Sequence, residues 1–270
     1  MSKTISKMEK PAHGTGEWAA HNINFQSGCR NRCGYCYASA MAIRFGRKTP
    51  ETWEIPEIDQ EKVGRKYGKK KGRIMLPTSH DLDEQNIDAY LTVLKKLLVA
   101  GNEVLVVSKP RLDCIRRLCK ELTAFKKQIT FRFTIGSAND GVLKAWEPGA
   151  PSFKERLACL KHAHKMGYTT SVSCEPMLDD NIHAVIKAAR PFVTDSIWLG
   201  VANRLRSTIA INCPGDEKTL AMANRLIGIM TDEVITGLYA RYHNDTVIKW
   251  KESIKKIVGL ERPVVNGLDI

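Results

Sequence analysis

The sequence lacks long hydrophobic runs. No stretch of its 270 residues approaches the roughly 18 consecutive apolar residues that a transmembrane helix needs. Residues 1–10 are polar and lack the apolar segment of a secretory signal peptide. We therefore expect a cytoplasmic protein with no membrane contact. In that reducing compartment its eight cysteines are expected to be metal ligands or buried thiols rather than disulfides.

Acidic residues are scarce. The chain has 29 Asp and Glu against 42 Lys and Arg, which gives a formal net charge of +13. Such an excess favours an anionic partner or substrate, with DNA, RNA or a nucleotide as the leading candidates. Composition alone does not distinguish this from a basic enzyme without a nucleic-acid partner.

The cysteines form no second closely spaced set, but three of them fall within eight residues. Cys29, Cys33 and Cys36 are separated by three and two residues, with Tyr35 before the third. Three thiolates on one loop are able to hold three irons of a four-iron cluster and leave the fourth iron open to a small molecule. A structural zinc loop is the alternative, although no fourth Cys or His lies nearby at zinc-finger spacing.

Hydrophobic patterns alternate between strand and helix along most of the chain, which predicts an α/β fold. A parallel sheet covered by outer helices is typical of this alternation. We expect a flexible lead-in over residues 1–17, the main unit over 18–235 and a C-terminal helical extension over 236–270. The predicted strands cover residues 21–26, 73–77, 104–107, 129–135, 169–173 and 196–201. The predicted helices cover residues 38–45, 87–99, 112–125, 153–166, 182–189, 217–230 and 246–258.

Polar residues follow nearly every predicted strand. The carboxyl ends of parallel strands meet at one edge, where ligands bind in both barrels and open sheets. Alternation along the fifth strand points Glu175 toward the interior and Cys174 toward the helices. We therefore predict a polar cavity at this edge, with catalytic candidates Glu175, His80 and Asp81. The other residues at the strand ends include Thr78, Ser79, Ser108, Lys109, Ser137, Asn139, Asp140, Asn203 and Arg204.

A basic run at residues 65–73 contains six Lys or Arg residues around Tyr67. Such runs are usually solvated surface. Here the lysines also suit phosphate contacts, and Tyr67 suits stacking against a base.

The cysteine spacing, Tyr35 and the six strand–helix units resemble the radical S-adenosylmethionine (SAM) enzymes, which have a partial (β/α)6 barrel. Within that superfamily three stretches resemble the branch of spore photoproduct lyase and related DNA-repair photolyase-like proteins: His80-Asp81, residues 108–110, and residues 146–152 ahead of residues 155–157. Residues 173–177 are also similar to phage-associated radical SAM proteins. The resemblance covers about residues 20–205.

The resemblance implies a [4Fe-4S] cluster on Cys29, Cys33 and Cys36, with SAM bound to the open iron. Reductive cleavage of SAM would give a 5′-deoxyadenosyl radical that abstracts a substrate hydrogen, with flavodoxin or ferredoxin as the electron donor. Backbone beside Tyr35 would contact adenine. Lys109 would meet the SAM carboxylate, and Ser137 would hydrogen-bond SAM.

One departure limits the resemblance. Spore photoproduct lyases carry a hydrogen-donating cysteine in the barrel after the cluster motif, whereas this sequence has Thr78, Ser79 and His80 at the second strand end. We therefore do not expect repair of the spore lesion itself.

Two other functions are consistent with the sequence. One is a radical SAM enzyme that acts on a peptide or a small metabolite. The other is a non-catalytic zinc or Fe–S protein that binds nucleic acid. Bound zinc without absorbance at ~400 nm would favour the latter.

Overall fold

A computed structural model describes residues 11–268. Its main feature is a parallel sheet of seven strands in the order β1-β4-β5-β6-β7-β8-β9. These strands are β1 (His21–Asn22), β4 (Ile74–Leu76), β5 (Val104–Ser108), β6 (Ile129–Thr134), β7 (Thr169–Cys174), β8 (Ile197–Leu199) and β9 (Ile248–Trp250). A separate antiparallel pair joins β2 (Gln26–Ser27) to β3 (Glu57–Ile58).

Helices follow the strands along the chain and cover the sheet. They are α1 (Tyr37–Arg44), α2 (Gln60–Gly64), α3 (Ile87–Val99), α4 (Leu112–Glu121), α5 (Asp140–Trp146), α6 (Phe153–Lys165), α7 (Ile182–Ala189), α8 (Leu205–Asn212), α9 (Glu217–Ile229), α10 (Asp232–Tyr242) and α11 (Glu252–Val258). Local sequence sets several helix starts. The Ser152 hydroxyl, for example, accepts from the Glu155 amide at 3.2 Å and caps α6.

The predicted parallel α/β fold is confirmed as a partial barrel. In the described residues β1 and β9 lie at opposite edges of the sheet and do not pair, so the barrel is not closed. The sheet has one strand more than predicted. The helix expected over residues 246–258 was wrong in its first part, because residues 248–250 form β9 beside β8. The predicted first strand over residues 21–26 is instead divided between β1 and β2.

The two faces of β6 carry different side chains, as its alternation predicts. Phe131 and Phe133 are fully buried in the core beneath the helices, where each contributes about 2–3 kcal/mol through burial. Arg132 lies on the inner face and donates to Ser171 Oγ at 2.9 Å and to Asp195 Oδ2 at 3.1 Å. The outer face therefore supplies the main core and the inner face a polar interior.

A smaller apolar cluster fills part of that interior. It consists of Trp18, Ala19, Met75, Leu105, Val107 and Trp198. The Arg132 guanidinium lies 4.9 Å from the Trp18 ring centre, and Lys251 Nζ lies 4.1 Å from it. Aromatic rings thus contact buried cations inside the sheet.

The structure describes part of the predicted N-terminal lead-in and all but two residues of the predicted C-terminal extension. Residues 1–10 of the predicted lead-in lie outside the described residues, and Gly14–Glu17 forms a 3-10 helix. The predicted boundary at residue 235 stays a prediction. In the described range, no helix combines the length and the hydrophobicity that crossing a membrane requires.

Candidate active site

The three closely spaced cysteines lie on one loop, residues 28–36, which we call the cysteine loop. It begins at Gly28, whose φ of +87° is left-handed. A Cβ at Gly28 would lie 2.7 Å from the Ile55 carbonyl oxygen, while the Cys29 amide donates to Trp53 O at 2.9 Å. Glycine accommodates both the backbone angle and the close approach, so it sets the start of the loop.

The other two thiols lie at the start of α1. Cys36 is the N-cap residue, and its Sγ accepts from the Ser39 amide at 3.4 Å. Its own amide donates to Cys33 O at 3.0 Å. The helix N-terminus favours negative charge on a sulfur at this position.

Burial determines the protonation of these thiols. It raises the pKa of Cys29 to about 12, with a further contribution from the Asp81 carboxylate. It also raises the pKa of Cys36 and, by more, that of Cys33. Without a bound cation the thiols are therefore protonated, whereas a coordinated metal removes the proton from a thiol. The donor set fits a positively charged metal group that accepts several sulfurs.

The kind of metal group follows from how the donors are arranged. No three His, Cys, Asp or Glu side chains within residues 11–268 are placed to hold one metal ion. A zinc ion gathers its ligands about 2.0–2.3 Å from one centre, while the cysteines of an Fe–S cluster bind separate irons. Three cysteines on one loop, each able to bind its own iron, are compatible with the second arrangement.

Asp81 and Lys109 form a buried ion pair beside the cysteine loop. Asp81 Oδ2 accepts from Lys109 Nζ at 3.3 Å and from Asn31 Nδ2 at 2.9 Å. Its Oδ1 accepts from Ser108 Oγ at 3.0 Å and from the Lys109 amide at 2.7 Å. The Asp81 carboxylate accepts from these four N–H and O–H donors and from the Cys29 thiol, and thus ties the ends of β4 and β5 to the cysteine loop.

Electrostatics keep this pair ionised. Burial opposes both charges, but the Lys109 ammonium and the hydrogen bonds to Asp81 lower the pKa of that carboxyl. The carboxylate of Asp81 in turn raises the pKa of Lys109 well above its ordinary value, with a smaller contribution from the Glu147 carboxylate. Lys109 therefore stays a cation, and its Nζ lies 5.8 Å from the centre of the Tyr35 ring.

A second buried ion pair holds Tyr35. The Tyr35 hydroxyl donates to Glu147, and the Arg156 guanidinium donates to the other oxygen of the same carboxylate. Neither ion-pair side chain is exposed to solvent. Arg156 also donates to Thr134 O at 3.1 Å and Pro151 O at 2.9 Å. The aromatic residue of the cysteine loop is thus tied to the end of β6.

The segment after α5 contacts the backbone of the cysteine loop. We call residues 146–151 the brace. The Gly34 amide donates to Trp146 O at 2.9 Å, and the Gly149 amide donates to Asn31 O at 3.1 Å. A Cβ at Gly149 would lie 2.1 Å from Arg30 O. The brace therefore requires glycine at this contact.

Glu175 and Lys251 form a third charged group on the inner face. The side chain of Glu175 is 22% exposed, and its Oε2 lies 3.4 Å from the fully buried Lys251 Nζ. Lys251 also pairs with Glu17 Oε2 at 2.7 Å. Burial raises the pKa of Glu175, although Lys251 partly offsets the effect. A carboxylate at the end of β7 is thus positioned by a residue that follows β9.

The remaining predicted site residues have different surroundings. His80 packs edge-on against Phe25 with ring centres 4.8 Å apart. Its Nε2 is buried without a partner, and burial lowers its pKa to about 4. Ser137 is buried, donates to Asp179 and accepts from the Asn139 amide at 2.9 Å.

The structure thus gathers Tyr35, Asp81 and Lys109 around the three cysteines. Glu175, His80 and Ser137 occupy separate contacts at the same edge of the sheet. Sequence reasoning assigned no role to Glu147 or Arg156, although residues 146–152 and 155–157 carried part of the resemblance. It also missed three residues that hold this site together, because nothing local marks them: Asn31, Asn212 and Lys251. Asn212 donates to the carbonyl oxygens of Gly34 and Cys36, each at 2.9 Å.

Fold and site together define a partial α/β barrel with a three-cysteine loop at the carboxyl edge of its strands. The sequence model of the radical SAM superfamily matches residues 23–190. This is more than half of the chain, which therefore belongs to the radical SAM superfamily. The predicted superfamily is confirmed, and membership implies SAM and an iron–sulfur cluster.

A viral protein and several solved structures are similar to the chain. The uncharacterized protein ORF301 of Acidianus two-tailed virus is 26% identical over 176 residues, covering 61% of this chain and 57% of that protein. The chain thus spans little more than half of this curated relative.

Spore photoproduct lyase and SuiB share the fold. A cysteine-to-alanine mutant of the lyase matches with a TM-score of 0.53 and 17% identity, covering 77% of this chain and 65% of that one. The same mutant with the dinucleoside spore photoproduct matches with a TM-score of 0.51 and 16% identity, covering 77% of this chain and 64% of that one. SuiB of Streptococcus suis bound to S-adenosylmethionine matches with a TM-score of 0.52 and 10% identity, covering 92% of this chain and 54% of that one. The family match supports the predicted radical SAM enzyme, and the solved structures show that the fold is shared.

Proposed function

We propose that this chain is a radical SAM enzyme whose substrate is a nucleic acid or a nucleotide. In this proposal Cys29, Cys33 and Cys36 hold a [4Fe-4S] cluster. The observation that carries the proposal is the cysteine loop itself, because three thiols, two of them buried and the third partly exposed, lie beside a permanent cation at the edge where parallel strands place their ligands. Bound there, the cluster would supply an electron for the reductive cleavage of SAM, which is the source of the radical that would abstract a substrate hydrogen.

The residues around the cysteine loop would bind SAM. Lys109 is the cation proposed for the SAM carboxylate, since its side chain is only 12% exposed and stays charged beside Asp81. Asp81 is better suited to positioning than to proton transfer, because four donors already occupy its oxygens. The backbone beside Tyr35 is proposed to contact adenine, in a position held by Glu147.

Three residues farther along the edge are proposed to act on substrate or to shape the cavity. Glu175 is partly exposed and its raised pKa suits a carboxyl that exchanges a proton or a hydrogen bond with substrate. His80 is neutral at pH 7 because burial lowers its pKa to about 4, so it would act as a hydrogen-bonding group. The hydroxyl of Ser137 donates to Asp179, so we propose that it holds this end of the site and meets SAM only as an acceptor.

The preference for nucleic acid rests on charge and on a basic groove. This groove, of about 410 Å³, runs beside β1 at the open edge of the sheet. Its lining includes Arg65, Lys66, Tyr67 and Lys70. The Arg65 guanidinium lies 4.8 Å from the centre of the Tyr67 ring. Cations beside an aromatic face suit a phosphate chain that carries bases.

A test of the cluster uses the central cysteine. We expect Cys33→Ala to abolish absorbance at ~400 nm and the formation of 5′-deoxyadenosine from SAM under anaerobic reduction. Cys114→Ala, on α4, is the matched control and should keep both. Retention of SAM cleavage by Cys33→Ala would contradict the proposal, and bound zinc in place of iron would favour the binding protein without catalysis.

A test of the substrate compares chemical classes. The loaded protein is incubated anaerobically with SAM and reductant in the presence of DNA, RNA, nucleotides or peptides, and products are identified by mass spectrometry. We expect modification of a nucleic acid or nucleotide. A peptide is the second candidate, because the fold is shared with SuiB, which has been solved bound to its precursor peptide SuiA. Flavodoxin or ferredoxin is the proposed electron donor, and replacing the chemical reductant by either tests it.

A further inference from the structure

Helix α1 exposes large apolar side chains on the face that points to solvent. Tyr37, Met41 and Phe45 are 54%, 42% and 63% exposed. They are spaced four residues apart and therefore lie one above another on a single face of the helix. A surface helix normally presents polar side chains there. Three large apolar groups in a row indicate a surface that contacts something.

The opposite face of α1 is small and buried. Ala38, Ser39, Ala40 and Ala42 are the buried residues of the helix, and the helix packs on α8. Met41 and Phe45 are therefore not the side chains that anchor α1 to the protein. Their exposure leaves them available for an external ligand.

The charged residues of the chain segment that carries this face are all basic. Arg44 and Arg47 are exposed beside Phe45, and the Arg47 guanidinium lies 5.7 Å from the centre of the Phe45 ring. No Asp or Glu occurs between residues 28 and 50. The face thus combines aromatic rings with cations and suits an anionic ligand that has flat apolar parts.

The same face begins at the site of the chemistry. Tyr37 directly follows Cys36, the third thiol of the cysteine loop. The Tyr37 hydroxyl donates to Thr78 O at 2.5 Å, at the carboxyl end of β4. A ligand on α1 would therefore extend from the rim of the cavity outward along the helix.

We propose that Tyr37, Met41 and Phe45, with Arg44 and Arg47, form a platform on which a single-stranded nucleic acid stacks its bases beside the cysteine loop. Base stacking on aromatic side chains and backbone contacts to Arg are how proteins hold single strands. A duplex is disfavoured, since its paired bases present no free faces along the strand. This inference rests on the proposed function, whose substrate class it narrows.

The test measures binding of a labelled single-stranded oligonucleotide of about 12 nucleotides by fluorescence anisotropy, using protein that holds its cluster. The double variant Met41→Ser/Phe45→Ser should bind about 5- to 100-fold more weakly than wild type, the range expected when one stacked base is lost. Phe45→Trp should keep the affinity, because it keeps a ring. The matched control, Leu220→Ser/Ile227→Ser, changes two exposed apolar residues of α9 and should bind like wild type.

Independent readouts separate loss of binding from loss of folding. Iron per chain and the thermal midpoint of the double variant should match those of wild type. If the iron content or the midpoint differs, the variant Arg44→Gln/Arg47→Gln is used in place of the double variant. It should weaken oligonucleotide binding, whereas the control Arg225→Gln on α9 should not.

Different outcomes overturn different claims. If wild type binds the single strand and both platform variants bind equally well, the platform is wrong and the proposed function stands. If wild type binds neither single strand nor duplex, the nucleic-acid substrate fails as well. Tighter binding of duplex than of single strand would overturn stacking. Loss of self-association in the double variant, with unchanged oligonucleotide binding, would assign the face to a second copy of the chain.

Discussion

Buried ion pairs hold the residues of the site in place. Glu147 shows this clearly, because its carboxylate accepts from both Tyr35 and Arg156 and is completely enclosed. Removing one partner of a buried pair leaves the other charge without compensation. The stability lost in this way is far larger than the stability that an exposed ion pair contributes.

We therefore expect Glu147→Gln to lower the free energy of unfolding by about 3–5 kcal/mol, since Arg156 keeps a buried charge. Urea denaturation under anaerobic conditions measures this. Glu121→Gln breaks exposed pairs with Lys95 and Arg117 and should change stability little. A loss under about 1 kcal/mol in the Glu147 variant would show that the pair is not structural.

His80 should make stability depend on pH. Its pKa is about 4 in the folded chain and about 6.5 when unfolded. Between these values the unfolded state binds the extra proton, so stability falls as pH drops from about 6.5 to 4. The expected total is about 3 kcal/mol, at 1.36 kcal/mol for each pKa unit.

Unfolding free energies at several pH values test this contribution. His80→Gln should flatten the dependence of the unfolding free energy on pH between about 4 and 6.5. The control His13→Gln, at an exposed histidine, should leave this dependence unchanged. An identical slope in wild type and His80→Gln would show that His80 does not titrate as described.

At the scale of elements, the brace and the cysteine loop act as one unit. Backbone hydrogen bonds from Gly34 and Gly149 join them, and the contact at Gly149 has no room for a Cβ. Because the obstructing atoms belong to the backbone, they cannot turn aside as a side chain would. The position of the thiols thus depends on a segment more than a hundred residues away in sequence.

Gly149→Ala should therefore displace the cysteine loop and reduce iron bound per chain, with a lower thermal midpoint. Gly228→Ala is the control, because a Cβ there meets nothing within 4 Å. Gly228 lies in the last turn of α9, where alanine favours the helix over glycine and should not lower the midpoint. Full iron content and an unchanged midpoint in Gly149→Ala would show that the brace is not needed to seat the loop.

At the scale of the whole molecule, the net charge of +13 has two explanations. Either it attracts polyanions from all directions, or particular surfaces bind them. The basic groove at the open edge of the sheet favours the second. Not every cation of the basic run is free for phosphate, since Lys69 Nζ already donates to Gly101 O.

The triple variant Arg65→Gln/Lys66→Gln/Lys70→Gln should weaken single-strand binding and reduce the slope of log K against log salt by about 2. Changing Lys120, Lys126 and Lys127 to Gln removes the same charge from another surface and should affect the slope much less. Equal effects in the two variants would assign binding to net charge alone.

Local patterns in the sequence predicted most of the sheet. Strand β6 illustrates why, since Phe131 and Phe133 alternate with Arg132 and report the two faces directly. The seventh strand was missed because residues 248–250 are short and run directly into α11, so their apolar residues also fit a helix. Several helices without a strong apolar stripe were also missed, among them α5, α8 and α10.

The sequence by itself determined the superfamily, through a resemblance that the family match confirms, and it predicted the three cysteine ligands and the edge of the sheet proposed to carry the site. These follow from spacing and periodicity, which are local. Only the tertiary structure decided which charges meet: Glu147 with Arg156 beneath Tyr35, Asp81 with Lys109, and Lys251 with Glu175. Two of these pairs join residues far apart in the chain, and the burial of all three pairs is set by packing that no local pattern contains.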